Sequence, residues 1–330
     1  MNDNNIFNAE IDQDTIDLLL TAFELYNISK SHNNVYKNEH DVSICKTLID
    51  QYYRKIRPNY VDMILNFKRK YIANEALVEK NDTPEERKGV ALAYDYITSF
   101  DIDKDYFNIF VNSLQIHSLL YKPLDDKNRE AFEDRLEESI RLYEEAKREK
   151  DLEKFKKSRE LANSIEFVSF GGNLRTDSAI MRDFDVEVPS AEEACRIFNS
   201  YLHPDKVREY EEAKADPNIF HYIDYCVRTV ADLIALQPFA DGNKRTFRTL
   251  LNLMFKERNL PPVYIVRKER AAYHDALEKA ICQKDYDDLI TFYYFKICDS
   301  IYELDFEPYL RYLDSKKDKP QQKLKTSENK

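Results

Sequence analysis

The chain has 330 residues, 43% of them apolar, and a net charge of −11, enough to bury the core of one large domain or two small ones but with no general attraction for nucleic acid. Four glycines in the whole chain argue against a turn-rich sandwich or barrel and point to a mostly α protein. Five scattered cysteines without a C-x-x-C pair, a polar start and no apolar run near the ~20 residues of a membrane span predict a soluble, cytoplasmic protein with reduced thiols and no membrane contact. Export by a route without a cleaved signal stays open.

In chain order, apolar spacing predicts a helix over 14–25 with Asp14 as N-cap, then a polar loop over 27–40. A helical region follows over 42–67, with Pro58 marking a break. Residues 71–77 read Tyr-Ile-Ala-Asn-Glu-Ala-Leu and precede a helix over 85–97. The next helix, over 105–121, carries Phe107, Phe110, Leu114, Leu119 and Leu120 on its apolar face, with His117 read as a structural histidine. Residues 126–159 alternate acids and bases and predict one long exposed helix or a helical hairpin. A solvated insertion is the first reading of that arm and a partner-docking surface the second.

Two extended runs, from 167 and over 184–189, flank Gly171-Gly172-Asn173-Leu174-Arg175-Thr176 and read as a small β-hairpin. Ser190-x-x-Glu193 has capping-box spacing and opens a helix over 190–201. A charged helix over 205–215 and a buried helix over 223–236 follow, with His221 too far back to serve as a base for what comes next. Helices over 246–257, around Tyr273 and His274, and over 287–302 complete the pattern, and 315–330 is lysine-rich without apolar period. This divides the chain into an N-terminal helical region (1–70), helices packing on the core (71–121), a charged insertion (122–160), a core (161–302) and a tail (303–330) whose end is expected to be disordered.

Between the helices ending at Leu236 and starting at Thr246 lies Gln237-Pro238-Phe239-Ala240-Asp241-Gly242-Asn243-Lys244-Arg245-Thr246-Phe247-Arg248. Gly242 and Asn243 tolerate unusual backbone angles and let N–H groups converge on one spot, which the positive end of the next helix also faces. Arg245 and Arg248 are three apart and project from one side of the first helical turns. With one acid beside them, they describe a polyphosphate site with a place for Mg²⁺.

This stretch resembles the signature of Fic proteins, His-Pro-Phe-x-Asp/Glu-Gly-Asn-Gly/Lys-Arg-x-x-Arg, matching every position except the first, where Gln237 replaces His. The resemblance implies a Fic-like helical core with a β-hairpin flap, over about 167–301 and more loosely 72–120. It implies that Asp241 holds Mg²⁺ and that Gly242, Asn243, Lys244, Arg245 and Arg248 bind the phosphates of ATP or another nucleotide, with Tyr273 helping to hold the base. Gly172, Arg175 and Thr176 fall where the family's flap docks a target protein by strand addition. Many family members carry an inhibitory Ser/Thr-x-x-x-Glu-Gly/Asn helix whose Glu pairs with the second signature Arg. Matching Ile72 to the usual Ile of that helix leaves Glu75 two positions late, so Glu75 is expected to be solvated or locally paired, with contact to Arg248 as the alternative.

The family's His takes the proton of the target hydroxyl, which glutamine cannot do. Three readings follow: a slow or unconventional AMP transferase acting on a protein hydroxyl, a pseudoenzyme that binds nucleotide and docks partners, and transfer of a different phosphate-containing group. Homo-oligomerisation is left open.

Overall fold

The computed structural model describes residue 20 and residues 39–55, 65–79, 83–164, 169–181 and 184–306. The expected helix over 14–25, most of the loop over 27–40, the break at Pro58 and the lysine-rich tail lie outside these residues. The elements are helical: α1 (Glu39–Lys55), α2 (Leu65–Val78), α3 (Pro84–Ser99), α4 (Ile109–Glu149), α5 (Leu152–Ser164), α6 (Ala191–Asn199), α7 (Pro204–Ala215), α8 (Ile219–Leu236), α9 (Asn243–Glu257), α10 (Arg270–Glu278) and α11 (Asp287–Ile301). Among the described residues, no helix is long and apolar enough to cross a membrane.

Helix α9 is the centre of the protein. Residues from Asn243 to Glu257 are buried almost without interruption, and α9 packs against α8, α4 and α3. Such a helix must be apolar around most of its girth or have each polar group paired. Leu250, Leu251, Leu253, Met254 and Phe255 supply the apolar surface. Asn252 satisfies its amide by exchanging bonds with the main chain of Val263 at 2.7 and 2.9 Å. Lys256 donates to three carbonyls at the end of α3, those of Ile97, Thr98 and Phe100. The outer helices close around this axis: α2 on α3, α11 on α1 and α8, α7 and α6 on α8.

Several expected starts are confirmed by their caps. Thr83 and Glu86 form a capping box at α3, Ser190 caps α6 and Asn218 caps α8. Gly89 lies where α3 crosses α4: a Cβ there would stand 2.0 Å from the Leu120 carbonyl oxygen.

The largest departure from the expected elements is α4. It runs unbroken for 41 residues, through Pro123, about 60 Å along its axis. Proline removes one helical N–H and usually ends the pattern. Here the turn around it is held from outside. Buried Asp125 accepts bonds from the N–H groups of Phe170 and Gly171 and from the Ser169 hydroxyl, all at 2.9–3.0 Å. Lys150 then takes a left-handed conformation (φ 53°) and α5 folds back on α4. The charged arm is thus a helical hairpin. Ser139 and Ser158 clamp it, each hydroxyl donating to the other's carbonyl.

The expected β-hairpin is represented, among the described residues, by one isolated antiparallel bridge, Leu174 to Phe239. Residues 165–168 and 182–183 fall outside the description.

Gly89→Ala is expected to lower the unfolding free energy by about 3 kcal/mol, since a methyl group in that contact forces α3 and α4 apart. Urea unfolding followed by circular dichroism measures it; a loss below about 0.5 kcal/mol would contradict the packing described.

Candidate functional site

The signature stretch is a closed loop between α8 and α9. Gln237 ends α8 in a left-handed conformation (φ 49°, ψ 56°), and its side-chain amide donates to the Ile234 carbonyl at 2.7 Å. Asn243, the first residue of α9, folds its side chain back across the loop. It accepts from Phe239 N–H at 3.0 Å and donates to Phe239 O at 2.8 Å and to Gln237 Oε1 at 3.0 Å. Both ends of the Gln237 side chain are therefore engaged in holding the loop. Asn243's side chain is likewise consumed, which leaves its backbone N–H as the part available to a phosphate. Gly242 has φ 74°, and Tyr121 lies so close that a Cβ would be 2.7 Å from its ring. Only glycine satisfies both conditions.

The loop rests on an aromatic and imidazole platform from α4. His117 stacks on buried Phe239 with centroids 3.9 Å apart and planes 8° apart. Its Nδ1 accepts from Gly172 N–H at 2.9 Å, so Nε2 carries the proton and donates to Asp241 O at 3.1 Å. Burial lowers its pKa from 6.5 to about 4, keeping the ring neutral. The expected structural role of His117 is what the geometry shows. Tyr121 donates its hydroxyl to Asp241 Oδ2 at 2.7 Å and receives Arg245 Nη2 at 3.1 Å.

Arg175 stitches the preceding segment to the loop. It is 4% exposed, and its partners are carbonyl oxygens: Gln237 (2.6 Å), Asp177 (2.8 Å), Pro189 (2.5 Å) and Ser190 (3.3 Å). Its N–H also donates to Pro238 O at 3.0 Å. The flap expectation had Arg175 facing a target protein; the side chain instead lies inside, as a clasp. Thr176 is exposed and lines the cavity, while Gly172 turns the chain at φ 73° under His117.

Above the loop opens a cavity of about 940 Å³, lined among others by Glu79, Tyr121, Asp177, Asp241, Lys244 and Arg245. The two signature arginines are buried beside it. Arg248 Nε donates to Glu75 at 2.8 Å and Nη1 to Glu79 at 2.5 Å. Arg245 Nη1 donates to Glu86 at 2.8 Å, while Glu86's other oxygen completes the capping box of α3. Burial works against charge on Arg248, but the two carboxylates outweigh it and hold its pKa above the usual arginine range. Burial likewise opposes charge on Glu79, yet Arg248 and Lys244 keep its carboxyl below the usual carboxylate range. Among the described residues, Arg245 Nε and Arg248 Nη2 have no hydrogen-bond partner, and a buried guanidinium N–H without an acceptor is a costly state.

Glu75 therefore differs from its expected solvated state: it is 3% exposed and paired with Arg248. The register taken from Ile72 misplaced it. With Tyr71 at the Ser/Thr position, Glu75 falls four residues on, where the pattern has its Glu. Tyr273 also departs from expectation. It is buried against Phe292 and Tyr293, with Arg248 Cζ 5.8 Å from its ring centre, and backs the arginine rather than lining the cavity. Glu79, Glu86, Tyr121 and Asp125 were not singled out from sequence. Two of them left a trace there: Glu79 is one helical turn beyond Glu75, and Thr83-x-x-Glu86 has capping-box spacing.

The Fic/DOC family model matches residues 159–255, the segment that carries this loop and its clasp. A protein adenylyltransferase Fic from Nematostella vectensis is 29% identical over 110 residues, which are 33% of this chain and 23% of that protein. The same-named protein from Aedes aegypti is 37% identical over 62 residues, 19% of this chain and 12% of its own length. The chain thus spans under a quarter of the length of these relatives. A solved structure of Fic-1 (residues 134–508) from C. elegans superposes with a TM-score of 0.50 at 14% identity, covering 91% of this chain and 73% of that one, a likeness of fold.

His117 yields a pH test. Its folded pKa of about 4 lies below its ordinary 6.5, so the unfolded chain binds the proton first. The stabilisation is complete above about pH 6.5, shrinks as pH falls towards about 4, and is flat below. Between about pH 7 and pH 4.5 the native protein is expected to lose about 2 kcal/mol more than His117→Gln. Equal losses in urea unfolding at the two pH values would contradict a neutral, buried ring.

Proposed function

We propose that the chain binds Mg-ATP in this cavity and transfers AMP slowly to a hydroxyl of a protein target. The observation that carries the reading is the pair of buried arginines with unpartnered N–H groups at the first turns of α9, next to a left-handed Gly242 and the N-terminal N–H groups of that helix. Phosphate oxygens are acceptors of the type these donors lack. The name carried by the relatives in sea anemone and mosquito, protein adenylyltransferase, supports the same reaction class.

A magnesium ion fits the donor set. Asp241 lines the cavity with its side chain 67% exposed; its Oδ2 accepts the Tyr121 hydroxyl at 2.7 Å, which orients the carboxylate, and lies 3.8 Å from Arg245 Nη2. One carboxylate plus phosphate oxygens is the usual way a protein holds Mg²⁺. When bound, the ion neutralises charge on the phosphates. The chain's own residues do the rest: Gly242 and Asn243 N–H groups receive phosphate oxygens, Arg245 and Lys244 add positive charge, and the His117–Phe239 stack keeps the loop in place.

Residue 237 sets the rate. Gln237 cannot accept a proton, and loss of a positioned base costs about 10²–10⁴-fold. Electrostatic stabilisation and alignment remain, so transfer is slow rather than absent. Glu75 and Glu79 act as a brake, because a terminal phosphate must compete with them for Arg248. The alternative is a pseudoenzyme whose nucleotide site governs partner docking. It is favoured by one observation, that both ends of the Gln237 side chain are tied into the loop.

Incubation with α-labelled Mg-ATP, comparing the native chain with Gln237→His, separates the two. Label on both, with the histidine variant faster by about 10²-fold, is expected. Label on the variant alone would favour the pseudoenzyme. Label on neither, with no ATP binding by calorimetry, would sink the nucleotide site. Glu75→Ala is expected to tighten Mg-ATP binding by about tenfold in calorimetric titration, since a competing carboxylate is removed; weaker binding would contradict the brake.

A further inference from the structure

One wall of the cavity is made by residues 176–180, and a single guanidinium decides where it stands. Arg175 Nε donates to Gln237 O and Nη1 donates to Asp177 O, at 2.6 and 2.8 Å. These are two donors of one rigid planar group, aimed to different sides of it. One side chain thereby holds both the main chain at Asp177 and the main chain at position 237, the place from which a base is missing. The clasp is stiff, because the same side chain also holds Pro189 O and Ser190 O and is 4% exposed.

Among the described residues, the other titratable groups around the cavity are committed elsewhere. Both ring nitrogens of His117 are bonded, to Gly172 and Asp241. Glu79 is held by Arg248, and Asp241 by Tyr121. Lys244 and Arg245 are cations. Asp177 differs from all of these: it is exposed, it lines the cavity, and among the described residues its carboxylate accepts one long bond, 3.4 Å from Thr176 Oγ1.

We infer that Asp177 is the catalytic proton acceptor for the hydroxyl modified at this site, in place of the base that Gln237 cannot supply. The inference rests on the AMP-transfer reading above. In the step, the hydroxyl oxygen forms a bond to the α-phosphorus as the bond from that phosphorus to the α,β-bridging oxygen breaks. Pyrophosphate leaves with the electron pair, and the hydroxyl proton passes to the Asp177 carboxylate. A carboxylate anchored through its own backbone is placed by the clasp and needs no contact with residue 237.

The test compares the native chain with Asp177→Asn, Asp177→Ala and Asp177→Glu, each also in a Glu75→Ala background. The readouts are label transferred from α-labelled Mg-ATP to the protein itself, and Mg-ATP affinity by calorimetry. Asp177→Asn and Asp177→Ala are expected to lower the rate about 10²-fold while affinity stays within about twofold, the split expected of a group that acts on the proton and not on the nucleotide. Asp177→Glu, which keeps the carboxylate, is expected to retain part of the activity. Asp177→Asn transferring at the native rate overturns the role of Asp177 and leaves the transferase standing. No label from any of these proteins while Mg-ATP binds overturns the transferase reading and this inference together. Asp177 is exposed, so its loss does not endanger folding.

Discussion

Two buried guanidinium groups on α9 dictate the surroundings of the site. Arg245 and Arg248 have side chains 5% and 3% exposed. A charge so far from water needs partners of opposite sign or the fold does not hold. The partners come from outside the signature: Glu75 on α2, Glu79 just past the end of that helix, and Glu86 at the third position of α3. Helices α2 and α3 are thereby tied to α9 by charge as well as by apolar contact. The arrangement is not fully satisfied, since one N–H of each arginine stays without an acceptor. A site that pairs its cations only in part can exchange protein carboxylates for ligand phosphates with small net change, which a fully paired site could not do.

The phosphate-binding geometry is separated from residue 237 in a physical sense. Gly242 takes its conformation because Tyr121 fills the space a side chain would need. Asn243 closes the loop through main-chain groups of Phe239 as well as through Gln237. The His117–Phe239 stack and the Arg175 clasp fix the loop from below and from the side. None of these depends on a residue that accepts protons at position 237. On the proposed function, nucleotide binding and proton removal would therefore be free to change independently in this scaffold.

Much of this was legible in the sequence, and the parts that were not share a cause. Helix positions followed from apolar period and from caps such as Ser190, because caps are local chemistry. The loop between α8 and α9 and its glycine turn followed from residue types at fixed spacing. The continuity of α4 did not, because the groups that stabilise its turn at Pro123 come from residues 169–171, over forty positions away. Tyr273 and Arg175 are aromatic and basic residues near a site, and sequence alone does not tell a wall from a support. Glu75 was misplaced by two positions because the register was taken from an apolar residue. An ion pair gives a firmer anchor, since it is Arg248 that selects which carboxylate of α2 faces inward.

The clasp also bears on how a target could be held. A flap that pairs with a target strand needs free backbone edges. In this chain one side of that segment is spent on the protein itself, through the Leu174–Phe239 bridge and the Arg175 N–H to Pro238 O. The opposite side, with Thr176, Asp177 and Ser178 exposed along the cavity, is the one left to a partner. An incoming strand seated there would carry its hydroxyl past Asp177 before it reached the phosphates.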